Sequence, residues 1–217
     1  MVSGVIFDMD GVLFDTERLG AAGWKLAARQ LNIPLDDAFI SHFRGRNIPD
    51  SRAYYKARLG RDDYDAARAI RVAYADAIIE KEGVPVKPGV RALLEALKQR
   101  GIPAALATGT VRERALGYLR QAGIDGFFSF AIGGDEVAHA KPAPDIFLQA
   151  AAGLRRAPST CMVIEDSVNG LTAARAAGCI PVMVPDLTPY SPELSSVCDA
   201  HAERLIDVIP LLERFPN

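Results

Sequence analysis

Asp8 and Asp10, two residues apart behind an apolar run, are the first residues of this chain able to do chemistry. Residues i and i+2 of an extended segment point the same way, so both carboxylates reach one crevice. A carboxylate such as Asp8 can attack phosphorus as a covalent nucleophile. Asp10 can then protonate a leaving oxygen and later take a proton from an attacking water. Gly11 permits the tight turn that follows. The same pair also fits a plain turn cap, and Asp-Met-Asp-Gly on its own does not choose between the two.

Three more segments carry reactive groups. Thr108-Gly109-Thr110 offers a hydroxyl and unhindered backbone N–H groups ahead of a helical run over 112–122, an oxyanion cradle at a helix N-terminus. Thr108 as an N-cap is the structural alternative. Lys141 stands in Ala-Lys-Pro-Ala-Pro-Asp, where Pro142 stiffens the loop and Pro144 suits a first helical turn, so its ammonium sits on a rigid arm; a surface lysine is the other reading. Glu165-Asp166-Ser167 adds two carboxylates, or simply starts a helix with Ser167 as its cap.

Four carboxylates gathered in one crevice survive only with protons, a basic side chain or a hard cation. Mg²⁺ prefers oxygen ligands and binds through one or two carboxylates plus a substrate phosphate, which suits Asp8 and Asp166. Zinc is not supported, because His42, His139 and His201 lie in no ligand spacing.

The elements that must bring these groups together are short apolar runs. Val2–Phe7, Ile102–Ala107, Phe128–Ile132, Cys161–Ile164 and Ile180–Val184 read as buried strands, and the reactive residues follow their ends. Between them run helical stripes, as at Val90, Leu93, Leu94 and Leu97 or Ile146, Phe147, Ala150, Ala151 and Leu154. Gly101, Gly123 and Gly178 mark left-handed helix ends. Alternation with short joints implies a parallel sheet, whose carboxyl edge is where ligands bind.

From Asp15 to about Pro85 no strand pattern occurs, only helical segments such as Glu17–Leu31, Ser51–Leu59 and Asp63–Glu82. The expected organisation is an α/β core, 1–14 and 88–217, with a helical cap, 15–87, inserted after the first strand; one larger α/β core is the alternative. Within the insertion, Arg44, Gly45, Arg46, Asn47 and Asp50 form a polar segment, with Arg46 the first candidate to contact substrate; a solvated surface arginine is its other reading. Trp24, Tyr54 and Tyr55 read as core of the insertion, and Leu205–Phe215 as a last helix.

Composition removes several functions. Basic and acidic residues number 25 and 27, a formal net charge of −2 without blocks of either sign, so a nucleic-acid partner is not expected. No apolar run reaches the roughly 20 residues that a membrane span needs. The apolar start is too short for a signal sequence, and the three scattered cysteines read as buried thiols, so a cytoplasmic protein is expected; a monomer is the expected state.

Taken as an ordered set, Asp8 to Glu17 (DMDGVLFDTE), Ala107-Thr108-Gly109, Lys141 to Phe147 (KPAPDIF) and Ile164-Glu165-Asp166-Ser167 with Asn169-Gly170 closely resemble the haloacid dehalogenase superfamily. The match is to its branch of small phosphatases and β-phosphoglucomutase-like proteins, with a Rossmann-like parallel sheet and a helical cap. The resemblance implies Asp8 as the phosphorylated nucleophile and Asp10 as acid/base that lends its carbonyl to Mg²⁺. It implies that Thr108 and Lys141 hold phosphoryl oxygens, with Gly109 and Thr110 beside the substrate. Asp166 would be a metal ligand, and Glu165 would support the metal through water or orient Lys141. The mutase has a cap-helix histidine where this chain has Gly20, and a cap arginine that has no counterpart near Ile48, so water is expected to intercept the aspartyl phosphate. Asp10 disfavours dehalogenation. The expectation is a Mg²⁺-dependent phosphomonoester hydrolase acting on a small organic phosphate such as a sugar phosphate. The alternatives are a phosphohexomutase and a non-catalytic phosphometabolite sensor.

Overall fold

The computed structural model describes residues 2–44 and 48–215. Six strands form one parallel sheet: β1 (Gly4–Phe7), β2 (Ala104–Ala107), β3 (Phe128–Ile132), β4 (Cys161–Glu165), β5 (Ile180–Met183) and β6 (Ala200–His201). Their order is β3-β2-β1-β4-β5-β6, so the chain builds outward from β1 on one side and then returns to build on the other. The reversal falls between β1 and β4, the position at which an open parallel sheet leaves a crevice beyond its strand ends. β1 registers Phe7 against Leu106 and Ile164, which sets the residues that follow all three strands side by side.

Every residue of β1, β2 and β4 is buried, as continuous apolar runs in a parallel sheet should be. β3, at the edge, is only partly covered. α7 (Asp145–Gly153) packs on β1, β2 and β3, and α8 (Val168–Ala176) on β4 and β5. Ala150, Ala151, Ala173 and Ala174 are all buried in this interface, and Ile6, Phe147 and Val163 fill it without exposure. Each such large apolar side chain contributes about 1.5–3 kcal/mol by leaving water. α5 (Val90–Gln99) buries its apolar stripe, Val90, Leu93, Leu94 and Leu97, and α6 (Arg112–Gln121) buries Ala115 and Leu119. Gly101, Gly123 and Gly178 all take positive φ behind their helices, the conformation that ends a helix without a Cβ penalty.

Two features near the carboxyl end add to the sequence reading. The last helix expected over Leu205–Phe215 is a 3₁₀ helix over Leu205–Glu213, with Pro210 inside it, whose ring would clash with the carbonyl four residues earlier in an α-helix. The two-residue β6 carries no apolar run and was not anticipated. Cys161, Cys179 and Cys198 are free and buried, and burial pushes the Cys161 thiol up to about 11.

The chain divides into two compact units, Met1–Phe14 with Val86–Asn217, and Asp15–Pro85. The second holds α1 (Thr16–Gln30), α2 (Asp37–Ser41), α3 (Ile48–Leu59) and α4 (Tyr64–Glu82). Trp24, Phe39, Tyr55 and Tyr64 are buried together at its centre, with Tyr54 partly buried against them. Trp24 stacks on Phe43 at 4.6 Å between ring centroids, and Tyr55 meets Tyr64 edge-on at 5.6 Å. α1 crosses α4 closely: a Cβ on Gly23 would lie 2.7 Å from the Arg71 carbonyl oxygen, so only glycine fits there.

Candidate active site

Asp8 follows β1 directly, and its N–H donates to the Ile164 carbonyl at 3.0 Å, extending the ladder to β4 by one more bond. Glu165 ends β4 and Asp166 comes next. Carboxylate oxygens of Asp8, Glu165 and Asp166 lie within 4.8 Å of one another, and all three residues are buried. Lys141, brought in by the loop ahead of α7, fills the space between: its Nζ donates to Asp8 Oδ1 at 2.6 Å, Glu165 Oε1 at 2.8 Å and the Ala107 carbonyl at 3.2 Å. The Phe147 ring lies 4.8 Å from the same nitrogen.

Glu165 is the most heavily engaged group. Beyond Lys141, its Oε2 accepts from the backbone N–H groups of Asp166 and Ser167 and from the Ser167 hydroxyl. Ser167 caps α8 as expected, its Oγ accepting from the Gly170 N–H at 3.1 Å. A Cβ on Gly170 would fall 1.7 Å from Glu165 Oε1, so the Asn-Gly pair leaves room for the carboxylate. Gly11, at φ +82°, does the same for Asp166, whose Oδ2 would sit 2.2 Å from a Cβ there.

Asp10 stands outside the buried trio, and its Oδ2 accepts from the Thr110 hydroxyl at 2.9 Å. Thr108 is fully buried behind β2, and its N–H donates to Ile132 on β3. It does not cap α6, which begins at Arg112 behind Val111; its Oγ1 accepts instead from the Thr110 N–H at 3.0 Å, closing the turn that holds Gly109. Gly133 and Gly134, which the sequence reading passed over, let the loop after β3 approach this turn, since a Cβ on Gly134 would lie 2.5 Å from the Gly109 carbonyl oxygen. Arg46, with Gly45 and Asn47, lies outside the described residues.

Burial pushes the Asp8 carboxyl up to about 8, opposed by Lys141 and reinforced by Glu165 and Asp10. Burial would lower the Lys141 ammonium, but Asp8 and Glu165 outweigh it and hold the group above its usual value. One ammonium serves a trio of buried carboxylates, so the crevice is short of positive charge. An all-oxygen donor set without thiol or imidazole fits a hard divalent cation such as Mg²⁺. Among the described residues the histidines are engaged elsewhere: His42 stacks on Tyr54, His201 on Tyr190, and His139 pairs with Asp145.

A parallel sheet with acidic groups and a buried lysine converging at its carboxyl edge defines an α/β enzyme with an acidic crevice at its strand ends. The chain belongs to the haloacid dehalogenase-like hydrolases, whose family profile matches residues 2–178. It is 33% identical to a phosphorylated carbohydrates phosphatase of Thermotoga maritima over 82% of each chain. It is 32% identical to hexitol phosphatase A of Escherichia coli over 89% of each. The fold matches that of β-phosphoglucomutase from Clostridium difficile with a TM-score of 0.78 at 24% identity, covering 95% of this chain and 92% of that one. Among the described residues no helix is long and apolar enough to cross a membrane.

Proposed function

We propose that the protein is a Mg²⁺-dependent phosphomonoester hydrolase acting on a small organic phosphate such as a sugar phosphate. The observation that carries this reading is Lys141 Nζ, bonded at once to Asp8 and Glu165 in a buried acidic crevice. The relatives named as phosphatases of phosphorylated carbohydrates and hexitols support the same chemistry.

An Asp8 oxygen attacks phosphorus, the ester P–O bond breaks, and the departing alkoxide takes a proton from Asp10. Water then gives a proton to Asp10 and attacks the aspartyl phosphate, breaking the bond to Asp8 and releasing inorganic phosphate. Lys141 and Thr108 hold phosphoryl oxygens, and the Gly109 and Thr110 backbone lines the same turn. The hydroxyl of Thr110 holds Asp10 before substrate arrives. Asp8, Asp166 and the Asp10 carbonyl would hold Mg²⁺, which supplies charge compensation for the phosphoryl oxygens. Glu165, both of whose oxygens are taken by protein donors, orients Lys141 and supports the metal indirectly. The helical unit is given the role of the cap expected from the sequence, and Arg46 that of its candidate substrate contact.

A panel of phosphorylated sugars, polyols and hydroxy acids, assayed for inorganic phosphate, tests the reading. Release that stops with chelator and returns with Mg²⁺ is expected. A hexose 1-phosphate converted to the 6-phosphate without free phosphate would overturn it in favour of a mutase. Binding without any turnover across the panel would favour a sensor.

A further inference from the structure

The loop after β3 carries two carboxylates that the chemistry of the crevice does not use. Asp135 and Glu136 lie in a 3₁₀ turn over Gly134–Glu136. Glu136 is tied locally: its Oε2 accepts from the Gly133 N–H at 2.9 Å. Asp135 reaches out of its own turn, and its Oδ1 accepts from the Arg112 N–H at 2.8 Å. Arg112 is the first residue of α6, and the opening N–H groups of a helix have no partner inside it. Val111 ahead of it has no side-chain acceptor, so the cap that α6 lacks in its own sequence comes from a residue 23 positions on.

That bond is one of three by which β3 and its loop grip a single stretch of backbone. The Thr108 N–H donates to the Ile132 carbonyl and the Gly134 N–H to the Thr110 carbonyl, each at 3.1 Å. With Arg112 they fasten the Thr108-Gly109-Thr110 turn at its start, at its end and at the helix behind it. The approach leaves no room for side chains: a Cβ on Gly134 would lie 2.5 Å from the Gly109 carbonyl oxygen, and one on Gly133 would meet the Arg112 nitrogen and Asp135 Oδ1. Arg112 returns the contact, its Nε donating to the Ala131 carbonyl at 3.2 Å. The turn held in this way presents the Thr110 hydroxyl to Asp10. Of the three bonds, the one to Asp135 runs through a side chain, so it can be removed without altering the backbone.

We propose that Asp135 is a positioning residue for the reaction: by capping α6 from the neighbouring loop, it holds the turn of Thr108, Gly109 and Thr110 where that turn receives phosphoryl oxygens and aims Asp10. Asp135 acts through Arg112 and the turn, without touching substrate. A negative charge this near an anion-holding turn repels the group that the turn receives, so the useful part is the accepting oxygen and not the charge. The proposal rests on the phosphomonoesterase reading and deepens it, naming what fixes the phosphate-holding turn.

The test measures kcat/KM for the best substrate of the panel, with Mg²⁺, and competitive inhibition by inorganic phosphate, in wild type, Asp135→Ala, Asp135→Asn and Glu113→Gln. Asp135→Ala is expected to lower kcat/KM roughly tenfold or more, as misplacement of a binding turn does, and to weaken phosphate inhibition alongside. Asp135→Asn, whose amide oxygen accepts the same bond, returns both close to the wild-type values. Glu113→Gln removes a carboxylate from the first turn of the same helix, 89% exposed and 3.9 Å from Arg120, and leaves both values at wild type. Wild-type kcat/KM and phosphate inhibition in Asp135→Ala, even with a lower unfolding temperature, would mean a contact that stabilises without positioning, and would overturn the proposal. An Asn variant as poor as the Ala variant, or an equal loss in Glu113→Gln, overturns it too, and each leaves hydrolysis standing. If wild type releases phosphate from no member of the panel, the hydrolase reading fails by itself. The positioning is then judged on hydrogen exchange of the amides of 108–112. Faster exchange in Asp135→Ala than in wild type and Asp135→Asn supports it, and equal exchange overturns it.

Discussion

The crevice of the α/β unit and the interior of the helical unit handle charge in opposite ways. At the ends of β1 and β4 the charged groups are themselves buried: Glu165 accepts from four donors and Lys141 donates to three acceptors. In the helical unit the interior is aromatic, with Trp24, Phe39, Tyr55 and Tyr64 at its centre and ion pairs around its outside. A polar network buried this deeply is costly when half-satisfied, so each member constrains its neighbours. Aromatic packing tolerates exchange of the polar residues at its margin. Position in the crevice is therefore dictated by strand ends, and in the helical unit by the packing of side chains between helices.

The sharpest way to break this contrast is at its centre. Asp8→Asn should lower phosphate release by on the order of 10⁴-fold or more, because no other group replaces the nucleophile. Burial disfavours the charged Asp8, so the neutral side chain should leave the thermal unfolding temperature in metal-free buffer within a few degrees of wild type. Undiminished turnover removes Asp8 from the mechanism. Lys141→Met should do two things at once. The side chains it abandons, Asp8 and Glu165, are 11% and 1% exposed, and an uncompensated buried charge costs about 3–5 kcal/mol. A lower denaturation midpoint and lost activity together are expected; loss of activity without loss of stability would mean that the network is looser than its distances imply.

Gly170→Ala sharpens the contrast without touching a charge. Its methyl must displace the Glu165 carboxylate, and with it the aim of Lys141. Activity should fall roughly 10²-fold, as expected when a catalytic group is misplaced by about an ångström. The companion Gly60→Ala, at a surface turn with positive φ and nothing near its Cβ, should cost stability alone, about 1 kcal/mol. Equal losses of activity in the two variants would sink the claim that Gly170 makes room for Glu165.

Much of the α/β unit is legible in the sequence because its central strands are short apolar runs that give way at once to polar residues: Phe7 to Asp8, Ala107 to Thr108, Ile164 to Glu165 at the end of β4. What escapes has physical causes. Leu205, Val208 and Leu212 imitate an α-helical stripe, while the Pro210 ring would clash with the carbonyl four residues earlier in an α-helix. The division of labour among carboxylates depends on the turn at Ser167, which spacing does not reveal. Thr108 resembles an N-cap, but its helix starts four residues on. The close approach of α4 to α1 also escapes; the signal that could have found it is Gly20 and Gly23, spaced three apart on α1.

The smallest expected effect lies at the edge of the aromatic interior. The Tyr55 hydroxyl donates to Asp63 Oδ1 at 2.8 Å, on a ring that is otherwise wholly buried. Tyr55→Phe removes one hydrogen bond and keeps the packing, so the urea midpoint should drop by an amount equivalent to about 1 kcal/mol. Arg61, which also donates to Asp63, holds that carboxyl well below the usual carboxylate range against the opposing effect of burial, with Tyr55 helping. A carboxylate depressed in the folded state contributes stability above its unfolded pKa, near ~4, and loses that contribution as pH falls below it. The stability gap between wild type and Asp63→Asn should therefore stay constant from neutral pH down to the carboxylate range and close only in stronger acid. A gap that already narrows near neutrality would assign the stabilisation to a different group. Activity on a good substrate should stay within about twofold in Tyr55→Phe, since one hydrogen bond at the margin of an aromatic core does not aim anything.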